Sequence, residues 1–133
     1  MAQSGVIGGV LWHHGESDAR TQAVASAYGA RLTQMFEELR QDRGQSDLPI
    51  VVGQIGDFLS RATYPTSGTV AEALRRMPEA LPPVSIAHSA GLAHNGDHVH
   101  FNWAQRMSWA DDSCKPWWEL QVSQTVDLRG QAD

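Results

Sequence analysis

Apolar positions along the chain fall into three short runs separated by two helical patterns. Val6 to Trp12 (Val-Ile-Gly-Gly-Val-Leu-Trp) is the first run and reads as a buried strand. Val24, Tyr28, Leu32, Met35, Phe36 and Leu39 then recur at spacings of three and four, which predicts a helix with that stripe facing the core. Ser17 or Asp18 is placed to cap its start, and Gly44 to cap its end. Arg20, Arg31, Glu37, Glu38 and Arg40 are expected to lie away from the core. The second run is Pro49-Ile50-Val51-Val52, ending at Gly53-Gln54-Ile55-Gly56. Thr69-Val70-Ala71-Glu72 has capping-box spacing and opens a second helix through Ala73, Leu74 and Met77, stopped by Pro82-Pro83. Val84-Ser85-Ile86-Ala87 is the third strand. A loop rich in Gly, His and Asp follows, then a short helix from about Asn102 to Ala110.

Strands alternating with crossover helices predict a parallel α/β sheet with helices on both faces. Ligands bind beyond the carboxyl ends of such strands, which is where the polar blocks after the first and third runs fall. The tail from Asp111 lacks helical periodicity, and Pro116 interrupts any continuation. The expected organisation is one domain over residues 1–110 and a divergent tail over 111–133.

Composition narrows the function classes. The chain has 133 residues, 10 Lys+Arg against 15 Asp+Glu, and a formal charge of −5. That balance argues against nucleic-acid binding through a general basic field. Cys114 is the one cysteine, so no disulfide can form within the chain. No apolar run approaches the roughly 18–20 residues of a membrane span. Met1 is followed by Ala-Gln-Ser-Gly, which does not resemble a secretory signal.

Two polar blocks carry candidate chemistry. In Asp97-His98-Val99-His100-Phe101 an Asp lies three residues before a His, close enough on one loop to bond its imidazole. Such a pair fixes the tautomer of a general base and stabilises its charged form. The same spacing also suits a turn whose Asp caps a helix. In Trp12-His13-His14-Gly15-Glu16-Ser17-Asp18, Glu16 is either an acid or a carboxylate favoured by a helix start. His88 reads as a hydrogen-bonded core residue, and His94 and His98 as loop residues beside the site. A zinc site from His94, His98 and His100 lacks any supporting ligand ladder, so no metal and no cofactor are expected. Cys114 reads as incidental.

Taken together, the two blocks resemble a known family. Leu11-Trp12-His13-His14-Gly15-Glu16-Ser17-Asp18 is similar to the Trp-His-Gln-Gly-Glu-Ser-Asp block of sialate O-acetylesterase-like proteins, the SGNH hydrolases of carbohydrate esterase family six. Pro49 to Phe58 looks like the strand and loop between that family's motifs, and Ser89 to Phe101 like its closing Asp-x-x-His block. The resemblance covers roughly residues 5 to 107 and fades after Met107. It implies hydrolysis of acyl esters on a carbohydrate. His100 is then the general base, Asp97 its orienting acid, and Glu16 a second candidate for that acid role. Position 14 is Gln in the family, where its amide and the adjacent Gly15 belong to the oxyanion and substrate-binding region. Here it is His14.

The family's nucleophile is a Ser in a Gly-Gln-Ser-Asn type block far upstream of the Trp-His block. This chain has 11 residues before Trp12, and Gln3-Ser4-Gly5 mimics that block only superficially. The resemblance therefore implies the C-terminal half of a flavodoxin-like SGNH sheet, without its first two strands and its nucleophile. The first strand would then be an exposed apolar edge, open to self-association. Two classes follow: a carbohydrate O-acetyl esterase domain lacking its nucleophile block, or a non-catalytic fragment or binding module that keeps a sugar or partner surface. The expected partner is an acylated carbohydrate, with neither nucleic acid nor membrane.

Overall fold

The computed structural model describes residues 7–102. The order is β1 (Val10–His13), a 3₁₀ turn (Ser17–Arg20), α1 (Gln22–Arg43), β2 (Ile50–Gly53), α2 (Ser67–Ala80) and β3 (Val84–Ala87). The three strands form one parallel sheet in the order β1-β2-β3. Residues align in rows across it: Val10, Ile50 and Val84; Leu11, Val51 and Ser85; Trp12, Val52 and Ile86; His13, Gly53 and Ala87.

Alternate rows face opposite ways. Ile50, Val52 and Val84 belong to the same buried cluster as Tyr28, Leu32 and Phe36 of α1 and Val70, Leu74 and Met77 of α2. Both described helices therefore lie on one face of the sheet, not one on each as the alternation predicts. The reason is topological. Two successive right-handed crossovers that step the same way across a sheet put both helices on the same side. On the opposite face Leu11 is 68% exposed.

β1 begins at Val10 rather than Val6, and it runs on to His13. The residues before it include Gly8 and Gly9, which disfavour a strand. His13 is extended because it pairs in register with Gly53.

α1 ends as its sequence predicts. Gly44 adopts φ 61°, and the N–H of Gln45 donates to the carbonyl of Arg40 at 3.0 Å, a Schellman closure. Its start differs. Thr21 precedes the helix with no side-chain cap, and Asp18 pairs with Arg31 and His14 instead of capping. Val24 is exposed and Arg40 is buried, the reverse of the periodic expectation. Arg40 bridges three segments. It donates to Leu48 O at 3.0 and 3.2 Å, to Pro82 O at 3.0 Å and to Pro83 O at 3.0 Å. These carbonyls lead into β2 and β3, so the guanidinium ties the end of α1 to the entry of both strands.

α2 starts at Ser67, earlier than Thr69. Thr66 anchors the preceding turn through its hydroxyl and its N–H, both donating to Ala19 O, at 2.8 and 3.1 Å. Glu72 forms no capping box; it pairs with Arg75 and Arg76. His88 lies exposed past the end of β3, not in the core. The helix expected from Asn102 to Ala110 falls outside the described residues, Asn102 excepted, as do Ser4, Cys114 and the tail.

Candidate active site

The polar block after β1 turns sharply at Gly15. This residue is buried with φ 136°, and a Cβ on it would lie 2.8 Å from Val70 Cγ1 and 3.3 Å from the Tyr28 hydroxyl. Only glycine fits both the backbone and the space. The turn is fastened from α1, where the Tyr28 hydroxyl donates to His14 O at 2.8 Å and accepts a long 3.5 Å bond from Trp12 Nε1. Burial pushes the Tyr28 phenol up to about 12, the Trp12 bond works against this, and the nearby Asp18 and Glu16 carboxylates add to it.

The loop after β3 returns on itself through a narrow neck. His94 and Phe101 form an antiparallel bridge, Asn95 N–H donates to His100 O at 2.7 Å, and Asn102 N–H donates to Ala93 O at 2.9 Å. Asp97 organises the tip. Its Oδ1 accepts from the N–H groups of Val99 and His100, both at 2.9 Å, while its Oδ2 lies 2.5 Å from His100 Nδ1. The His100 backbone and ring bonds, then the Val99 bond, hold the Asp97 carboxyl far below the usual carboxylate range. An ionised carboxylate only accepts, so Nδ1 of His100 carries the proton and Nε2 the lone pair.

The two blocks meet in one cleft of ≈ 360 Å³ lined by His13, Glu16, Ser17, Tyr64, Val99, His100 and Phe101. It lies beyond the carboxyl ends of the strands, where a parallel sheet places its ligands. His100 and Glu16 thus share a wall, but Asp97 is the carboxylate bonded to His100, and Glu16 lies 3.9 Å from His13 Nε2. His14 is not among the lining residues. It borders a separate depression with Trp12, Asp18, Tyr28, Arg31, Leu32 and Met35, and its Nδ1 is 3.6 Å from Asp18. Gly15 shapes the turn from below.

Tyr64 and Ser17 were not marked as site residues by sequence pattern, yet both line the cleft. Tyr64 comes from the aperiodic connection between β2 and α2, which offers no motif. Ser17 belongs to the recognisable block after β1, so proximity to Glu16 was the available signal. Among the described residues no group of three or more His, Cys, Asp or Glu side chains is placed to hold a metal ion, and no helix is long and apolar enough to cross a membrane.

A parallel α/β sheet with an Asp–His pair in a cleft at its carboxyl end has the arrangement in which acyl hydrolases hold a base and its orienting acid. Comparison with known proteins makes this specific. The family model for carbohydrate esterase, sialic acid-specific acetylesterase, matches residues 1–111. The chain belongs to that family. It is also similar to a protein from Arabidopsis thaliana solved by X-ray crystallography, with 26% sequence identity and a TM-score of 0.64. The similarity covers 83% of this chain and 47% of that one, so the chain spans about half the length of that relative. Comparison with curated proteins gives no match.

Proposed function

We propose that this chain carries the base and acid of a carbohydrate O-acetyl esterase. The observation that supports this most directly is the 2.5 Å contact between His100 Nδ1 and Asp97 Oδ2 on the wall of the cleft. In this reading His100 Nε2 removes the proton from a serine hydroxyl as it attacks the acetyl carbonyl. The resulting imidazolium is stabilised by Asp97 and then protonates the departing sugar oxygen. Glu16 contributes negative charge to the same cleft and orients groups on its wall. Gly15 keeps the turn close enough to form that wall. The substrate class is an acetylated sugar, as the family description suggests.

The nucleophile is assigned to a Gly-Gln-Ser-Asn block that this sequence does not contain. The three strands correspond in this reading to the C-terminal strands of an SGNH sheet, with β1 pairing the next strand along its open edge. Residues 1–110 make up the domain portion and 111–133 a tail outside it. His14 occupies the position of an oxyanion-hole glutamine, but its side chain borders the other depression. Any oxyanion contribution from this turn then comes from backbone N–H groups.

The test is acetate release from an aryl acetate, an O-acetylated sialate and an acetylated xylan. It compares the 133-residue chain and the chain joined to a family serine-bearing half, each with and without His100→Ala. The expected result is release by the joined form alone. Release by the isolated chain that disappears with His100→Ala would place the nucleophile inside the chain. Equal release by the joined form with and without His100 would remove the base assignment.

A further inference from the structure

The Asp97–His100 pair sits on a loop that needs an internal support. Between the neck residues His94 and Phe101 the chain reverses within six residues, and it does so with Gly96 at φ 94° and His98 at φ 56°. The left-handed region crowds a residue that carries a Cβ, and contacts within the loop support His98 there.

The ring of His94 supplies them. Its Nδ1 accepts from Gly96 N–H at 2.9 Å and from His98 N–H at 3.3 Å. The ring is packed between Phe58, with centroids 5.4 Å apart, and the His98 ring, with centroids 3.9 Å apart and planes at 33°. Asp97 is the residue between the two amides that His94 holds, and its own Oδ1 takes the next two, from Val99 and His100. Four amides of the loop, those of Gly96, His98, Val99 and His100, are thus divided between one imidazole and one carboxylate. A histidine that accepts two N–H groups on Nδ1 must be neutral, with its proton on Nε2.

We propose that His94 is a positioning residue for the Asp97–His100 pair. It acts through the backbone of Gly96 and His98 and is held as the Nε2–H tautomer. The functional meaning rests on the reading of His100 as a base, but the positioning itself does not. The competing account is that His94 only fills space beside Phe58, in which case another ring serves equally well. Two substitutions separate these accounts. His94→Asn places an amide oxygen near the position of Nδ1 and discards the ring, whereas His94→Phe keeps a ring and discards the acceptor.

The experiment is long-range ¹H–¹⁵N imidazole NMR on the labelled 133-residue chain and both variants, without substrate. The expected wild-type result is His94 with the ¹⁵N shifts of the Nε2–H tautomer and His100 with those of the Nδ1–H tautomer. His94→Asn should keep that His100 signal, and His94→Phe should lose it to rapid exchange between tautomers. The proposal is overturned if His94 is not the Nε2–H form in the wild type, or if His94→Phe leaves the His100 signal intact. It is also overturned if His94→Asn is as damaging as His94→Phe. Methyl signals of Val52 and Leu74 report the core. Their collapse in His94→Phe would make His94 a framework residue and would likewise overturn the positioning role. Because no turnover is read, failure of the esterase reading would leave these signals unchanged, and the two failures are distinguishable.

Discussion

The hydroxyl of Tyr28 donates to the carbonyl of His14 at 2.8 Å, joining the second turn of α1 to the turn that delivers Glu16 to the cleft. The bond keeps a phenol buried, and burial raises its pKa from 10.0 to about 12. Because the folded value is the higher one, the contribution to stability is complete below pH 10 and declines as pH rises through about 12. Ultraviolet titration should show a late tyrosine ionisation, and Tyr28→Phe should remove that step. The same variant should lose about 1 kcal/mol at neutral pH, read by denaturant melts.

Gly15→Ala tests how closely the turn is fitted. The added methyl meets Val70 Cγ1 at 2.8 Å, and φ 136° is a conformation alanine avoids. The expected loss is about 1–3 kcal/mol, seen as a lower thermal midpoint. Gly44→Ala offers a control for the steric part, because a Cβ there meets nothing within 4 Å. Its loss should be the smaller of the two.

Arg40 is 5% exposed and serves three carbonyls. Arg40→Leu leaves Leu48, Pro82 and Pro83 without these donors and should destabilise by about 3 kcal/mol in urea unfolding. Arg40→Lys should recover little, since an ammonium lacks the planar fork that spans the separated acceptors. Exposed Arg43 in the same helix should tolerate Leu within about 0.5 kcal/mol.

Asp97 should titrate well below the usual carboxylate range when followed by carbon-detected NMR. Its folded value is depressed by the His100 and Val99 donors, so the stabilisation it gives the loop is present above the ordinary carboxylate range. It is lost as pH falls through the depressed value. His100→Ala removes the ring bond but keeps the two amides. The titration should therefore move up only part of the way, and a full return to the ordinary range would contradict the backbone contribution.

What was legible in the sequence was mostly local. Gly44 closes α1, Pro82-Pro83 stops α2, and β3 matches its apolar run residue for residue. The Asp97–His100 contact was legible for the same reason, since its two ends are three residues apart on one loop. Misreadings arose where a distant group claimed a side chain. Asp18 looks like a cap but is taken by Arg31, Glu72 looks like half of a capping box but is taken by Arg75 and Arg76, and Arg40 looks exposed but is held by carbonyls beyond α1. Tyr64 reaches the cleft from a stretch with no period and no motif, so nothing in its neighbours announces it.

The parallel order of the sheet also sets a timetable for folding. No two described strands are joined by a hairpin, so the pairing of β1 with β2 waits for α1, and that of β2 with β3 waits for α2. Such non-local pairing delays nucleation, because chain entropy is lost before contacts compensate for it. Glu16 is synthesised before His100, so the cleft between them is assembled only after the last described strand has formed. Until α2 docks, the apolar row of Ile50, Val52 and Val84 lacks half of its helical cover.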